Sequence, residues 1–394
     1  MSPTPQRPLR IFLVAGEHSG DALGARLMMA LSALRPGGVS LSGVGGPRME
    51  AGGLTSLFPM SDIAVMGPAA IIEHLPQLLR RIRETASAAV EASPDVVVII
   101  DAPEFTHRVA RRIRKERPDL PIVNYVSPSV WAWRSWRAAR MRAYVDEVLA
   151  LLPFEPEVHA RLGGPPCTYV GHPLIERRHW IDALDPQGLK DRLGLSDSRP
   201  LLLVLPGSRR SEIVRLWGPF TATLRALRAT GHSLDVIVPT VGNVRELVAE
   251  RVKQWPFQTH VLDDEADKFR AFKLARAALA ASGTVTLELA LARCPMVVAY
   301  RVERLALLFR RLVKPPHFAL ANLVLGARAF PELMQEDCVP EKLAPALASL
   351  LGDTPERDAQ IAALARVPEA LSTGTPPAIA AAMRVLAHAE RARD

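Results

Sequence analysis

The stretch PDVVVIID (94–101) decides the fold. Its apolar run from Val96 to Ile100 lacks the polar alternation of a half-exposed strand, and a helix-like segment from Pro103 to Arg117 follows. An uninterrupted β-branched run leading into a helix marks a strand covered on both faces, as in a parallel sheet built from crossover units. The same rhythm recurs outward from it. RIFLVAG (10–16) reads as strand and Asp21 to about Leu34 as helix, with PIVNYV (121–126) and VDEVLALLP (145–153) as further strands. After a polar, turn-rich connection (171–200) the rhythm restarts at LLLVLPGSRRSEI (201–213). It continues through SLDVIVPT (233–240), FQTHVLDD (257–264), RAALAASGT (276–284) and CPMVVAYR (294–301). The expected fold class is α/β: two doubly wound, Rossmann-like domains facing across a cleft, which describes the GT-B arrangement among others. The expected limits are 1–172 and 173–369, with alanine- and leucine-rich helices near 340–351, 356–366 and 376–391 closing the chain. The segment 370–394 is expected to rejoin the first domain.

Bulk properties narrow the function. The chain has 394 residues, 48% hydrophobic and 23% charged, enough for two cores and unlike a disordered protein. Its net charge of +8 suits nucleic acid, anionic lipid or a phosphorylated substrate, but the charge is spread along the chain rather than gathered in a tail. A generic nucleic-acid binder is therefore not favoured. Cys167, Cys294 and Cys338 lie far apart without metal-ligand spacing, which suits a reducing compartment. MSPTPQRPLR lacks a signal-peptide apolar stretch, and no window approaches a membrane span, so the expected location is cytoplasmic.

Five segments at strand ends carry chemistry. Ala15-Gly16-Glu17-His18-Ser19-Gly20-Asp21 joins the first strand to the first helix; its glycines allow a tight turn, and Ser19 or Asp21 alone would suffice as a helix cap. It is not GxGxxG, so no dinucleotide fingerprint is present. Asp101-Ala102-Pro103-Glu104-Phe105 places a carboxylate at the end of a buried strand, partly desolvated as a general base requires; capping the next helix is the plainer reading, and one Asp can do both. Ser127-Pro128-Ser129-Val130-Trp131-Ala132-Trp133-Arg134 runs on to Trp136, Arg137 and Arg140. Tryptophan with arginine suits sugars, acyl chains or bases, and a packed aromatic helix face is the plainer reading for any one of them.

In the second half, Pro206-Gly207-Ser208-Arg209-Arg210 offers backbone, hydroxyl and guanidinium donors in a diphosphate-binding layout without a P-loop lysine. Ser282-Gly283-Thr284 presents donors at a helix start, with Glu288 one turn on, placed to accept from the hydroxyls of a ribose. Together these two segments read as a nucleotide-diphosphate pocket built by one domain. No DxD pair occurs, so Arg209 and helix N-termini would stabilise the leaving group without a metal. No HExxH cluster or GxSxG elbow is present.

These segments, with GVGGPRMEAGG (43–53), AVMG (64–67), LPFE (152–155), YVGHPL (169–174) and ANLVLG (321–326), run in an order that resembles the lipid-A-disaccharide synthases, bacterial inverting glycosyltransferases of GT-B fold. The resemblance covers residues from about 11 to 338. It implies transfer of 2,3-diacylglucosamine from UDP-2,3-diacylglucosamine to the 6-hydroxyl of 2,3-diacylglucosamine 1-phosphate, giving the tetraacyl disaccharide 1-phosphate precursor of lipid A plus UDP. Carried over, Asp101 is the general base and Arg209 binds the leaving diphosphate, while Gly207, Ser208, Ser282, Gly283, Thr284 and Glu288 complete the UDP pocket. Glu17, Ser19, Asp21, Ser127, Trp133 and Asn322 fall to the acceptor and donor-sugar side. No cofactor, metal or nucleic acid is implied; the partners are the two lipid substrates and the cytoplasmic face of the inner membrane, with a homodimer compatible.

Three departures stand out. His18 replaces a small or uncharged residue and is given no catalytic part, Glu104 replaces Asp, and Ala321 replaces the proline before Asn322. GPAAIIEHLPQLLRRIR (67–83) and RLALLFRRLVKPPHFALANLVL (304–325) mix apolar and cationic residues, which fits either interfacial segments or core-facing helices. Two other functions remain open at this level. A UDP-sugar epimerase shares the architecture but needs no acceptor pocket, and a basic nucleic-acid or membrane-binding protein would show steep salt dependence.

Overall fold

In the computed structural model, residues 7–36, 38–63, 74–302 and 317–393 are described. AVMG (64–67) and much of both amphipathic stretches lie outside them. The chain divides into two units: one runs to Glu176 and resumes at Ser372, and the other is Arg177–Leu371.

The first unit holds β1 (Leu9–Ala15), β2 (Val39–Val44), β3 (Val96–Ile100), β4 (Ile122–Tyr125), β5 (Glu147–Ala150) and β6 (Cys167–Tyr169) in the order β2-β1-β3-β4-β5-β6. Every pairing is parallel, Ile11 opposite Val96 and Val97 opposite Ile122. All five residues of β3 are buried. Alternate side chains divide between two cores: Val96, Val98 and Ile100 join one, and Val97 and Ile99 the other. Each fully buried aliphatic contributes roughly 1.5–3 kcal/mol, which is why this run tolerates no polar residue. The first core is covered by the helix His18–Leu34 and the C-terminal helix Pro377–Arg391, the second by Leu75–Ala92 and Pro103–Glu116. The first helix thus begins three residues before the sequence suggested, because the Gly16 turn frees His18 and Ser19 for helical geometry. In the described part of the first amphipathic stretch, Leu78, Ile82 and Ala86 face the core while Arg80 and Arg83 are exposed.

The C-terminal helix is tied down by charge as well as packing. Glu147 on β5 is buried and accepts from Arg384 Nη2 at 2.7 Å, His388 Nε2 at 2.8 Å and Thr168 Oγ1 at 2.6 Å. Burial alone would raise its pKa, but the hydrogen bonds from His388, Arg384 and Thr168 win and hold it at about 2.

The second unit holds β7 (Leu201–Leu205), β8 (Asp235–Pro239), β9 (Gln258–Leu262), β10 (Ala277–Ala281), β11 (Met296–Tyr300) and β12 (Glu332–Met334), again all parallel, in the order β12-β11-β10-β7-β8-β9. Read from its own first strand, this is the doubly wound 3-2-1-4-5-6 order. In each sheet the winding reverses once, between β1 and β3 and between β7 and β10. Parallel sheets bind ligands at the carboxyl ends of the strands flanking such a reversal. The AGEHSGD and IDAPEF segments lie at the first reversal, LPGSR and ASGT at the second.

Candidate functional site

At the first reversal, two turns interlock. Asp101 and Ala102 have φ of +54° and +45°, consecutive non-glycine residues in the left-handed region. Such backbone costs about 1–2 kcal/mol per residue and persists where surroundings fix it. Here the Asp101 amide donates to Tyr125 O at 3.1 Å, and Thr106 Oγ1 donates to Asp101 O at 2.7 Å. The half-buried Asp101 carboxylate accepts from Ser19 Oγ at 2.7 Å through Oδ2 and from its neighbour Ala102 N at 2.9 Å through Oδ1. Close approach of the turns requires glycine: a Cβ on Gly16 would lie 2.6 Å from Ala102 Cβ, and one on Gly20 3.0 Å from Ile100 O. Ser19 and Glu17 are exposed beside Asp101.

Asp21 does something else. It is 2% exposed, and its carboxylate accepts from Gly46 N at 2.9 Å, Arg48 N at 3.0 Å and Met49 N at 3.0 Å. Its oxygens hold the GVGGPRM turn through these three amides. Gly46 is required there because a Cβ would lie 2.8 Å from Asp21 Cγ.

Ser127 also turns inward. It is 7% exposed, and its Oγ lies 2.9 Å from His159 Nε2, so its hydroxyl does not point to solvent as a sugar ligand would. Burial pushes His159 down to about 4, keeping the imidazole neutral, while burial pushes Glu155 up to about 8 against hydrogen bonds from Leu152, Trp131 and Ser127. His159 and Glu155, the last residue of LPFE, form a buried polar support under the tryptophan segment. The segment above it is strained, with Val126 at φ +84° and Arg134 at +53°; a β-branched residue there is an outlier. Of its tryptophans, Trp131 packs edge-on to Phe154 at 5.6 Å. Trp133 and Trp136 are 49% and 51% exposed and carry guanidiniums, Arg134 over the first at 4.1 Å and Arg140 over the second at 4.4 Å.

At the second reversal, β7 and β10 pair directly, Leu205 beside Ala280, so the LPGSR and ASGT turns are neighbours. Gly207 has φ +113°, and a Cβ there would lie 2.5 Å from Glu212 Oε2. Arg209 caps the helix Arg210–Ala229 by position only; its side chain is 65% exposed and reaches Glu212 at 3.9 Å. Ser282 Oγ donates to Phe318 O at 3.1 Å, and Gly283 has φ +154°. Glu288 is paired with Lys268 Nζ at 2.9 and 3.0 Å, a partner the spacing did not reveal.

Asn322 is fully buried. Its Nδ2 donates to Phe330 O at 3.1 Å and Glu332 Oε1 at 2.7 Å, and its Oδ1 accepts from Ala329 N at 2.8 Å. With both ends of the amide engaged, it shapes the loop after its helix. Ala321, where a proline is usual, donates its amide to Thr286 Oγ1 at 3.4 Å, a bond proline lacks. Thr286 in turn donates to Gly283 O at 2.9 Å, linking this loop to the ASGT turn.

The first reversal therefore brings together Glu17, Ser19 and Asp101, and the second Gly207, Ser208, Arg209, Ser282, Gly283, Thr284 and Glu288. Among the described residues no group of His, Cys, Asp and Glu is placed to hold a metal ion, and no helix is long and apolar enough to cross a membrane.

A family model described as lipid-A-disaccharide synthetase matches residues 11–374. A lipid-A-disaccharide synthase of Rhodopseudomonas palustris is 51% identical over 93% of this chain and 92% of its own length. One from Bradyrhizobium diazoefficiens is 50% identical over 98% and 97%. Among solved structures, MurG of Acinetobacter baumannii superposes with a TM-score of 0.59 at 13% identity, over 96% of this chain and all of its own. The UDP-GlcNAc 2-epimerase of Neisseria meningitidis gives 0.60 at 10% identity, over 98% and 100%. These structural likenesses concern the fold, shared by transferases and epimerases alike.

Proposed function

The chain belongs to the lipid-A-disaccharide synthase family, a family of glycosyltransferases with the GT-B fold, and from that premise we propose how its residues divide the reaction. The donor is UDP-2,3-diacylglucosamine and the acceptor 2,3-diacylglucosamine 1-phosphate. The second unit takes the UDP: the Gly207–Ser208 and Ser282–Thr284 turns supply donors to the diphosphate, Glu288 accepts from the ribose, and Arg209 takes the charge of the departing phosphate. The first unit supplies the base.

The observation that carries this reading is Asp101, held in a strained turn at a sheet reversal with Ser19 Oγ on one oxygen. A carboxylate has about four lone-pair sites. Two are used, by Ser19 and Ala102, which leaves room for the acceptor 6-hydroxyl. That hydroxyl gives its proton to Asp101 as its oxygen attacks the anomeric carbon; the bond to the UDP oxygen breaks, and the configuration inverts. Arg209 is suited to the leaving group because it is exposed, permanently charged and only loosely engaged by Glu212. Ser19 positions the base, and Glu17 and Trp133 are the exposed groups near enough in sequence to meet the sugars.

The test is UDP release from the donor with and without acceptor, in EDTA. Release that requires acceptor and survives the chelator supports the reading; release of an epimerised UDP-sugar without acceptor would replace it. Association with the inner-membrane surface belongs to the same proposal, supported by exposed Trp133 and Trp136 among arginines. Salt-sensitive sedimentation with anionic vesicles tests it.

A further inference from the structure

A cavity of about 390 Å³ opens beside the helix Pro103–Glu116, and its arginines have no part in the reaction steps proposed above. Arg108, Arg111, Arg134, Arg137 and Arg140 line it against one carboxylate, Glu104. Glu104 is shared among Arg137, Arg134 at 3.3 Å and Arg108 at 3.7 Å. Neither Arg111 nor Arg140 has a carboxylate partner among the described residues.

Those two guanidiniums are held by aromatic rings. Arg111 lies 4.7 Å from the Tyr144 ring and donates to Tyr144 OH at 3.2 Å, and Arg140 lies 4.4 Å from the Trp136 ring. A guanidinium stacked on a ring keeps its in-plane N–H groups for an anion, in the fork geometry that suits phosphate oxygens. Tyr144 OH also lies 3.1 Å from His107 Nδ1. Burial first, then the fields of Arg111 and Arg137, push His107 down to about 3. The imidazole stays neutral and anchors the tyrosine.

The walls connect this cavity to the base. Pro103 and Pro128 line it, the one two residues beyond Asp101 on the exit from β3, the other directly after Ser127 on the exit from β4. We propose that the cavity binds a phosphate monoester and that, resting on the function proposed above, its occupant is the anomeric phosphate of the acceptor. The sugar then has one end in the arginine cavity and its hydroxyl at Asp101. Glu104 keeps the arginines in place when the cavity is empty and shares them when phosphate arrives.

The first test is binding of glucosamine 1-phosphate to the full chain, wild type and the Arg111→Gln/Arg140→Gln double variant, with UDP affinity measured alongside. Hydrogen bonds from charged donors of this kind are worth about 10- to 100-fold in affinity. The expected result is a loss of at least roughly ten-fold for the sugar phosphate with UDP binding unchanged; equal affinity in both proteins overturns the site. Should the double variant fail to fold, Arg140→Gln alone serves, since Arg140 is exposed.

The second test compares kcat/KM for the lipid acceptor with and without its anomeric phosphate. Wild type should prefer the phosphorylated acceptor and the variant should lose most of that preference, with KM for the donor unchanged. A variant that keeps the preference but no longer sediments with phosphatidylglycerol vesicles would show a headgroup site instead and overturn the acceptor assignment. Arginine-dependent binding of glucosamine 1-phosphate by a wild type that makes no disaccharide would remove the proposed reaction and leave the phosphate site standing.

Discussion

The two sheet reversals use the same architecture to opposite ends. At β1/β3 the carboxylate of Asp101, the base we propose, is fixed from several directions: a left-handed pair of residues, the Ser19 hydroxyl, the Tyr125 carbonyl on its amide and two glycines that let the turns touch. At β7/β10 the principal cation is fixed by almost nothing, Arg209 being 65% exposed with one carboxylate oxygen at 3.9 Å. A base must stand at a set angle to one proton, so its position is built in advance. A guanidinium that meets a diphosphate can be positioned by its ligand, since the anion brings the organising charge with it.

Substitutions that break one side of this comparison should leave the other intact. The largest expected effect is on Asp101→Asn, which keeps the side-chain shape but has one accepting oxygen for Ser19 and Ala102 together and removes the base; kcat should fall about 10²- to 10⁴-fold, read by acceptor-dependent UDP release. Arg209→Ala should lower kcat/KM about 10²- to 10³-fold, and Arg209→Lys should recover only part of it because the fork is lost. Steady-state kinetics on both variants checks this.

The built-in order of the first unit depends on its C-terminal helix, and there pH is the probe. Glu147 lies well below its usual 4.5, at about 2. Its contribution is therefore complete above about pH 4.5 and fades as pH falls toward 2, a span worth about 3 kcal/mol for a buried group. Glu147→Gln should cost a similar amount at pH 7 and flatten the acid limb of a denaturation series; an unchanged acid limb would show that the Arg384 and His388 contacts do not hold the helix. The smallest effect belongs to Ser19→Ala, which removes one hydrogen bond from Asp101 and should lower kcat about ten-fold or less, with UDP affinity unchanged.

Much of this was legible from sequence. The β3 run and its copies gave both parallel sheets because burial on both faces leaves an unbroken apolar signature. Asp101 and Arg209 stand out as candidates because they follow such runs closely. At Asp21 and Asn322 the sequence is silent on surroundings: a polar residue in a motif looks the same whether it meets a ligand or a backbone amide. Only the fold reveals that Gly46, Arg48 and Met49 converge on Asp21, or that Phe330 and Glu332 enclose Asn322. His159 and Lys268 were missed because their partners lie 20 or more residues away, or because a buried histidine carries no sequence mark of its own.

The most direct test of the division between the two reversals is UDP affinity by calorimetry on the Asp101→Asn and Arg209→Ala variants beside single-turnover transfer. The account predicts that Asp101→Asn binds UDP like wild type yet transfers sugar about 10²- to 10⁴-fold more slowly, while Arg209→Ala binds UDP at least roughly ten-fold more weakly. Transfer at the wild-type rate by Asp101→Asn, or unchanged UDP affinity in Arg209→Ala, would contradict it.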